Sequence, residues 1–170
     1  PLAYGYSLVG RVVECGHETD GKLLGKRVFT FAPHASQVVT TPNAVQLVPD
    51  DVKSLDAIFM PSVETALSIV QDARPVLGEN VAVFGQGLIG LLVTALLRRC
   101  SGKFGVISTF DTLGDRLMVS AAMGASQALF PTEASLAAPF DVAIEVSGNP
   151  LALQTAIDST RKGGRIIVGS

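Results

Sequence analysis

Four apolar residues, Val81-Ala82-Val83-Phe84, run directly into Gly85-Gln86-Gly87-Leu88-Ile89-Gly90, and an apolar, helix-like segment follows. Glycines at that spacing, between a strand and a helix, let an anion meet the backbone. Gly85 permits the tight turn out of the strand. Gly87 has no Cβ, so a pyrophosphate can approach the main chain. Gly90 lets the helix lie close to the strand, and the free N–H groups at the helix start face the anion. A second apolar run, Phe104 to Phe110, ends in Asp111, about 20 residues past the third glycine, where a carboxylate can accept hydrogen bonds from a ribose. The rival readings are a tight turn with no ligand and, for Asp111, an acid favoured by a helix dipole. The order of strand, glycines, helix and acid favours a dinucleotide site, with Gly85, Gln86, Gly87, Leu88, Ile89, Gly90 and Asp111 as its residues. A carboxylate at the ribose favours NAD, since the 2′-phosphate of NADP would face a like charge. Arg116 either reaches toward the same ribose or is solvated. Ser147 and Gly148 follow another strand, at the edge where open α/β sheets hold ligands, and either touch the nicotinamide ribose or form an ordinary loop.

The elements that must position these residues fall into two regions. Leu8 to Glu14, Lys26 to Phe31, Gln37 to Thr41 and Ala44 to Val48 read as short strands separated by Gly, Pro and Asn, the pattern of a small β-rich unit. From Ser62 the period changes. Val63, Ala66, Leu67, Val70 and Ala73 share one helical face, Ser62 can cap that helix, and Pro75 lies beyond its end. Strands are expected at Val81 to Phe84, Gly105 to Phe110, Ala128 to Phe130, Asp141 to Val146 and Arg165 to Val168. Between them come a helix from about Leu88 to Cys100, one opened by the capping-box pattern Thr112-x-x-Asp115 and ended by Gly124, and one started by Asn149-Pro150 and ended by Gly163-Gly164. Leu153, Ala156, Ile157 and Thr160 form the expected inner face of the last helix. Alternation of this kind means a parallel sheet with right-handed crossovers. The expected division is residues 1–61 and 62–170.

The 170 residues carry a formal net charge of −2 and a mixed charge pattern, which speaks against nucleic acid or an anionic membrane as partner. Charged residues are 16% and hydrophobic ones 48%, apolar for a free domain, so the chain reads as a piece of a larger protein. Pro1 in place of Met and an end on Ile166-Ile167-Val168-Gly169-Ser170 agree with that expectation. Cys15 and Cys100 suit no disulfide framework, and a reduced, cytoplasmic setting is expected. Val81 to Leu97 is uncharged and is followed by Arg98-Arg99, but its interior glycines and strand-like front argue against a membrane span.

The order of a β-unit, a helix and Gly-Gln-Gly-Leu-Ile-Gly resembles the medium-chain dehydrogenase/reductase superfamily, in its zinc-type alcohol dehydrogenase-like branch. The matching residues are Gly5 to Gly16, Gly25-Lys26-Arg27-Val28, Glu64-Thr65-Ala66, the Gly85–Gly90 loop, Asp111, Glu145-Val146-Ser147-Gly148 and Gly163 to Gly169. The resemblance implies the end of a GroES-like catalytic domain followed by a Rossmann domain, with a small-molecule substrate in the cleft between them. It also implies NAD as cofactor, hydride transfer to or from an alcohol/carbonyl pair, and a homo-oligomer when full length. Members with a catalytic zinc carry Gly-His-Glu before the first strand, and here Gly5-Tyr6-Ser7 stands in that place. Gly16-His17-Glu18 follows the strand and is a decoy. A further ligand, a Cys or an acid, usually precedes the Ser62 helix, where Met60 sits. Phe29-Thr30-Phe31 passes directly to Pro33-His34-Ala35-Ser36, without the four-Cys structural lobe. A phenol and a thioether replace imidazole and thiolate poorly on Zn²⁺, so no metal site is assigned and zinc is left open. Glu64 and His34 are the substitute ligands or catalytic groups, against a helix-opening acid and a surface histidine; Tyr6 is either a proton donor or a packed side chain. The rival functions are a metal-free reductase of activated double bonds and a cofactor-binding module without turnover. The chain alone is expected not to turn over substrate.

Overall fold

The computed structural model describes residues 4–17, 21–100, 105–137 and 139–169. Glu18 of the decoy, Phe104 of the second apolar run and Ser170 lie outside the described residues, as does the side chain of Cys100. The chain divides into two compact units, Pro1–Pro61 and Ser62–Ser170.

In the first unit, β1 (Leu8–Arg11), β2 (Arg27–Thr30) and β3 (Val45–Leu47) form an antiparallel sheet in that order. Val28, Phe29 and Val48 supply its buried apolar residues, and the Thr30 hydroxyl donates to Ala44 O at 2.8 Å. The strand expected over Gln37 to Thr41 does not form. Val39 is fully exposed there, so no apolar burial fixes the segment, and Thr41 leads into a 3-10 turn at Pro42–Ala44. A short helix, α1 (Ser54–Ala57), closes the unit.

Helix α2 (Met60–Ala73) starts two residues before the expected cap. Pro61 occupies its first turn, where a missing N–H costs nothing, and Ser62 is buried within it. Its inner stripe is Ala66, Ile69, Val70 and Ala73; Val63 and Leu67, expected on that face, are partly exposed. The helix ends at Ala73, and Arg74 has a positive φ of 42° ahead of Pro75.

The second unit then adds β4 (Val81–Phe84), α3 (Leu88–Cys100), β5 (Ile107–Phe110), α4 (Gly114–Met123), β6 (Gln127–Leu129), α5 (Ala134–Ala137), β7 (Phe140–Glu145), α6 (Pro150–Ser159) and β8 (Thr160–Val168). The five strands are parallel, in the order β6-β5-β4-β7-β8. The two faces of β4 show why a continuous apolar run makes a central strand. Val81 and Val83 join Ala66, Val70, Val93, Leu97 and Ile144 on one side, while Ala82 and Phe84 join Phe110, Phe140 and Ala156 on the other. Phe84 stacks on Phe110 at 4.6 Å. Each fully buried Val or Phe contributes about 1.5–3 kcal/mol, so β4 anchors the unit. The uncharged run from Val81 to Leu97 is thus split between a strand and a helix. Among the described residues no helix is long and apolar enough to cross a membrane.

Two expected helix boundaries change. No side chain caps α4: Leu113 stands at its N-cap, and the Asp111 carboxylate, not Thr112, takes the loop N–H. Gly124, at φ 112°, ends α4 as expected. Asn149 caps α6 by accepting from Leu151 N at 2.9 Å, with Pro150 in the first turn. That helix stops at Ser159, however, and Gly163-Gly164 lie inside β8, where the pairing jumps from Phe140↔Thr160 to Val142↔Arg165. A Cβ on Gly164 would press on Thr160 and on Asp141 O, so the irregular ladder there requires glycine. The inner face of α6 is Ala152, Ala156 and Ser159, and Ile157 points outward.

Candidate functional site: a dinucleotide cradle at the carboxyl ends of the strands

The carboxyl ends of β4, β5 and β7 bring Gly85, Asp111 and Ser147 together. Gly85 has φ 93°, and its N–H donates to Phe110 O at 2.8 Å. A Cβ on Gly85 would stand 2.8 Å from the Ser147 backbone, so the β4 turn and the β7 loop touch through a glycine. Gly90 is just as constrained: a Cβ there would collide with Gly85 O. Gly87 differs from both. A Cβ at Gly87 meets nothing within 4 Å, so no packing demand explains its missing side chain. Leu88, Ile89 and Gly90 form the start of α3, where a helix leaves its first N–H groups without an intrahelical acceptor. The Leu88 side chain is half-exposed, and Ile89 packs partly into the core.

Asp111 is only 7% exposed. Its Oδ2 accepts from Gln86 N at 2.7 Å and its Oδ1 from Leu113 N at 2.9 Å; Arg116 Nη1 lies 3.5 Å from Oδ2, on a half-exposed side chain. A carboxylate offers about four lone-pair directions, so acceptor capacity remains for a ribose. Gln86, assigned to the cofactor from sequence, has a side chain with no exposure, directed beneath the loop. Ser147 and Gly148 are exposed, with Gly148 at φ 69°.

Sequence reasoning gave no role to Glu145. It is 1% exposed, and its Oε1 accepts from both Ser147 N (2.6 Å) and Ser147 Oγ (2.5 Å). Ser147 Oγ in turn accepts from Asn149 N at 3.1 Å, so a buried carboxylate shapes the loop that abuts Gly85. An acid ending an apolar strand was the available signal.

Of the other assigned residues, Glu64 belongs to the second unit and His34 and Tyr6 to the first. Glu64 is exposed on α2 and lines an open hollow of about 370 Å³ with Thr65, Ser68, Ile69, Asp72 and Gly169. His34 is exposed in the first unit; its N–H donates to Tyr4 O, and its ring lies against Gly5 so closely that a Cβ there would collide with it. Tyr6 is 62% exposed, and the Ser7 hydroxyl donates to Ile58 O at 2.5 Å. A phenol, a hydroxyl turned to a carbonyl and the Met60 thioether are not the nitrogen, sulfur and carboxylate donors that zinc takes. Among the described residues no three His, Cys, Asp or Glu side chains gather as a metal site requires. These side chains do not fit a catalytic zinc.

A parallel sheet ordered 3-2-1-4-5, with a glycine cradle at its carboxyl edge and an acid on the neighbouring strand, defines a Rossmann dinucleotide-binding fold. No family model matches the chain. The chain is 29% identical, over 98% of its length, to the L-threonine 3-dehydrogenase of Aeromonas hydrophila, and it spans 59% of that protein. Two of the solved structures that share the fold hold a nicotinamide cofactor. One is a putative zinc-binding dehydrogenase from Sinorhizobium meliloti 1021 bound to NADP (TM-score 0.83, 18% identity, 100% of this chain and 61% of that one). The other is described as a short chain alcohol dehydrogenase from E. coli CFT073 complexed with NADH (TM-score 0.78, 18% identity, 94% and 58%). The chain is thus similar in sequence to an L-threonine 3-dehydrogenase and in fold to zinc-binding and alcohol dehydrogenases.

Proposed function

We propose that the chain binds NAD at the Gly85–Gly90 loop and belongs to an oxidoreductase acting on an alcohol/carbonyl pair. In this reading residues 1–61 are the end of a GroES-like catalytic domain and residues 62–170 the cofactor domain. The observation that carries it is the open space over Gly87, where no atom of the described residues lies within 4 Å of the Cβ that a side chain would add. Leu88, Ile89 and Gly90 would receive the pyrophosphate on their N–H groups, Asp111 the adenosine ribose, and Ser147 with Gly148 the ribose at the other end. When bound, the nicotinamide supplies or accepts the hydride. The chain's own part is to hold that group at the edge of the sheet. The Aeromonas relative is named for oxidation of L-threonine at carbon 3, a secondary alcohol, so small secondary alcohols and their ketones are the first substrates to assay.

Calorimetry with NAD on this chain tests the binding half: a dissociation constant in the micromolar range supports it, and no binding at millimolar NAD overturns it. Hydride transfer by the full-length protein, followed at the nicotinamide absorbance, tests the rest. Absence of turnover on alcohols, ketones and activated double bonds would leave a binding module. Tyr6, Ser7 and Met60 at the family's donor positions favour a second reading, a metal-free reductase of activated double bonds. Chelator-washed full-length protein is then expected to hold well under one metal ion per chain and to keep its activity. A ratio near one, lost on substituting Glu64 or His34, would identify those residues as replacement ligands.

A further inference from the structure

We infer that Gln86, through a buried bridge to Thr94, holds the shape of the glycine loop and thereby sets affinity for the pyrophosphate of a dinucleotide. The inference rests on the reading of that loop as a pyrophosphate site. Gln86 fills a position between two glycines that the spacing leaves free, and its side chain and that of Thr94 have no exposure. A buried primary amide needs partners, and this one has them on three sides. Its Nε2 donates to Gly85 O at 3.0 Å and, at 3.4 Å, to Val83 O; its Oε1 accepts from Thr94 Oγ1 at 3.1 Å. Thr94 sits in the second turn of α3, and its single hydroxyl proton is shared between Gln86 Oε1 and Gly90 O, the latter 2.8 Å away. The Gln86 main-chain N–H is meanwhile taken by Asp111 on the β5 side. One residue therefore joins the end of β4, the start of α3 and the acid after β5.

The bridge matters because of what Gly85 O would otherwise do. A carbonyl oxygen facing a pyrophosphate repels it, whereas main-chain N–H groups attract it. The Gln86 amide draws the Gly85 carbonyl inward, beneath Gly90, and leaves the outer side of the loop to N–H groups. Without the amide that carbonyl loses its buried donor, and the loop is free to turn it outward. Gln86 and Thr94 are thus positioning residues, acting through the main chain.

Gln86→Met keeps length and removes the amide, and Thr94→Val keeps shape and removes the hydroxyl. The measurement is binding of NAD and ADP-ribose by calorimetry, and of adenosine by ligand-observed NMR, to the whole chain. Both variants are expected to lose about tenfold for NAD and ADP-ribose while adenosine stays within about twofold. The double variant is expected to be no weaker than the worse single one, because both break the same bridge. Thr94→Ser, which retains the hydroxyl, is expected to bind as the parent does. The inference is overturned if Gln86→Met and Thr94→Val hold ADP-ribose within about twofold of the parent, or if adenosine weakens in the same proportion. Should Gln86→Met not fold, Thr94→Val and Thr94→Ser alone decide it. Failure of the parent to bind ADP-ribose would instead remove the pyrophosphate reading, and the bridge with it.

Discussion

The two ends of the parallel sheet are both crowded with polar groups, and they use them in opposite ways. At the amino ends, charges close on one another. Asn80 donates its N–H to Asp141 Oδ2 at 2.8 Å and accepts from Val106 N at 2.9 Å, tying β4 to β7 and to the start of β5. Arg161 meets Asp141 at 2.5 Å, and Arg165 pairs with Glu79 while donating to Ala73 O at the end of α2. At the carboxyl ends the polar groups support a surface that stays open. Asp111 and Glu145 fix loops by their N–H groups, and the space over Gly87 is left unfilled. One end of the sheet is finished by the protein itself; the other stays open over Gly87. Changes at the carboxyl end should therefore cost binding and spare the fold, and changes at the amino end should do the reverse.

The largest effect is expected at Gly87. Gly87→Val should weaken NAD by about a hundredfold or more, because the new side chain enters the space kept for the anion. Its melting temperature should stay within about 2 °C, since a Cβ there meets no protein atom. A variant that binds NAD normally would show that the loop is only a turn.

Asp111→Ser should give the next largest effect. Two like charges about 4 Å apart cost roughly 4 kcal/mol at an effective dielectric near 20, so NADP should bind more weakly than NAD. Arg116, 3.5 Å from Asp111, offsets part of that cost. A preference for NAD of tens to hundreds is expected. The substitution should erode it mainly by improving NADP, with some loss of NAD as Gln86 N loses its acceptor. Equal affinities in the parent, or an unchanged ratio in the variant, would reduce Asp111 to a loop brace.

Arg165→Met acts at the other end. It removes donors from Ala73 O, Arg74 O and Glu79. The side chain is partly exposed, so about 1–2 kcal/mol of stability is expected to go in urea unfolding, with NAD affinity unchanged. A loss of affinity larger than the loss of stability would break the division between the two ends.

The smallest effect is the response to acid. Burial raises the pKa of Glu79, but hydrogen bonds from Arg165 and Val76 N outweigh it and hold the carboxyl below its ordinary 4.5. The Arg161 hydrogen bond, helped by Asn80 N, holds Asp141 below its ordinary 3.8. Groups lowered in the folded state stabilise it fully above their unfolded pKa values and lose that contribution as pH falls through the folded ones. Thermal unfolding should therefore be flat from about pH 7 to pH 5 and decline below about pH 4.5, less steeply in Arg165→Met. An identical acid slope in that variant would remove the Glu79 pair from the account.

The sequence by itself determined the parallel α/β unit, because Val81 to Phe84 and Val142 to Ile144 are apolar runs followed by glycine and Asn-Pro signals. It also determined the cradle, since the glycine spacing is a local property of one turn. Boundaries set by tertiary contact were not legible. Gln37 to Thr41 has strand-like residues but no buried face, and Gly163-Gly164 looks like a helix stop but serves a crowded point in β8 against Asp141 O. The orientation of polar side chains lay equally out of reach. Gln86 reads as a cofactor contact because its neighbours are glycines, and only packing beneath α3 shows its amide turned inward to Thr94. Glu145 reads as one residue within the strand expected over Asp141 to Val146, and only the closeness of Ser147 to Gly85 shows a carboxylate shaping the loop. Spacing along a chain fixes local backbone geometry, whereas the partner of a buried polar group is decided by which distant element comes to lie against it.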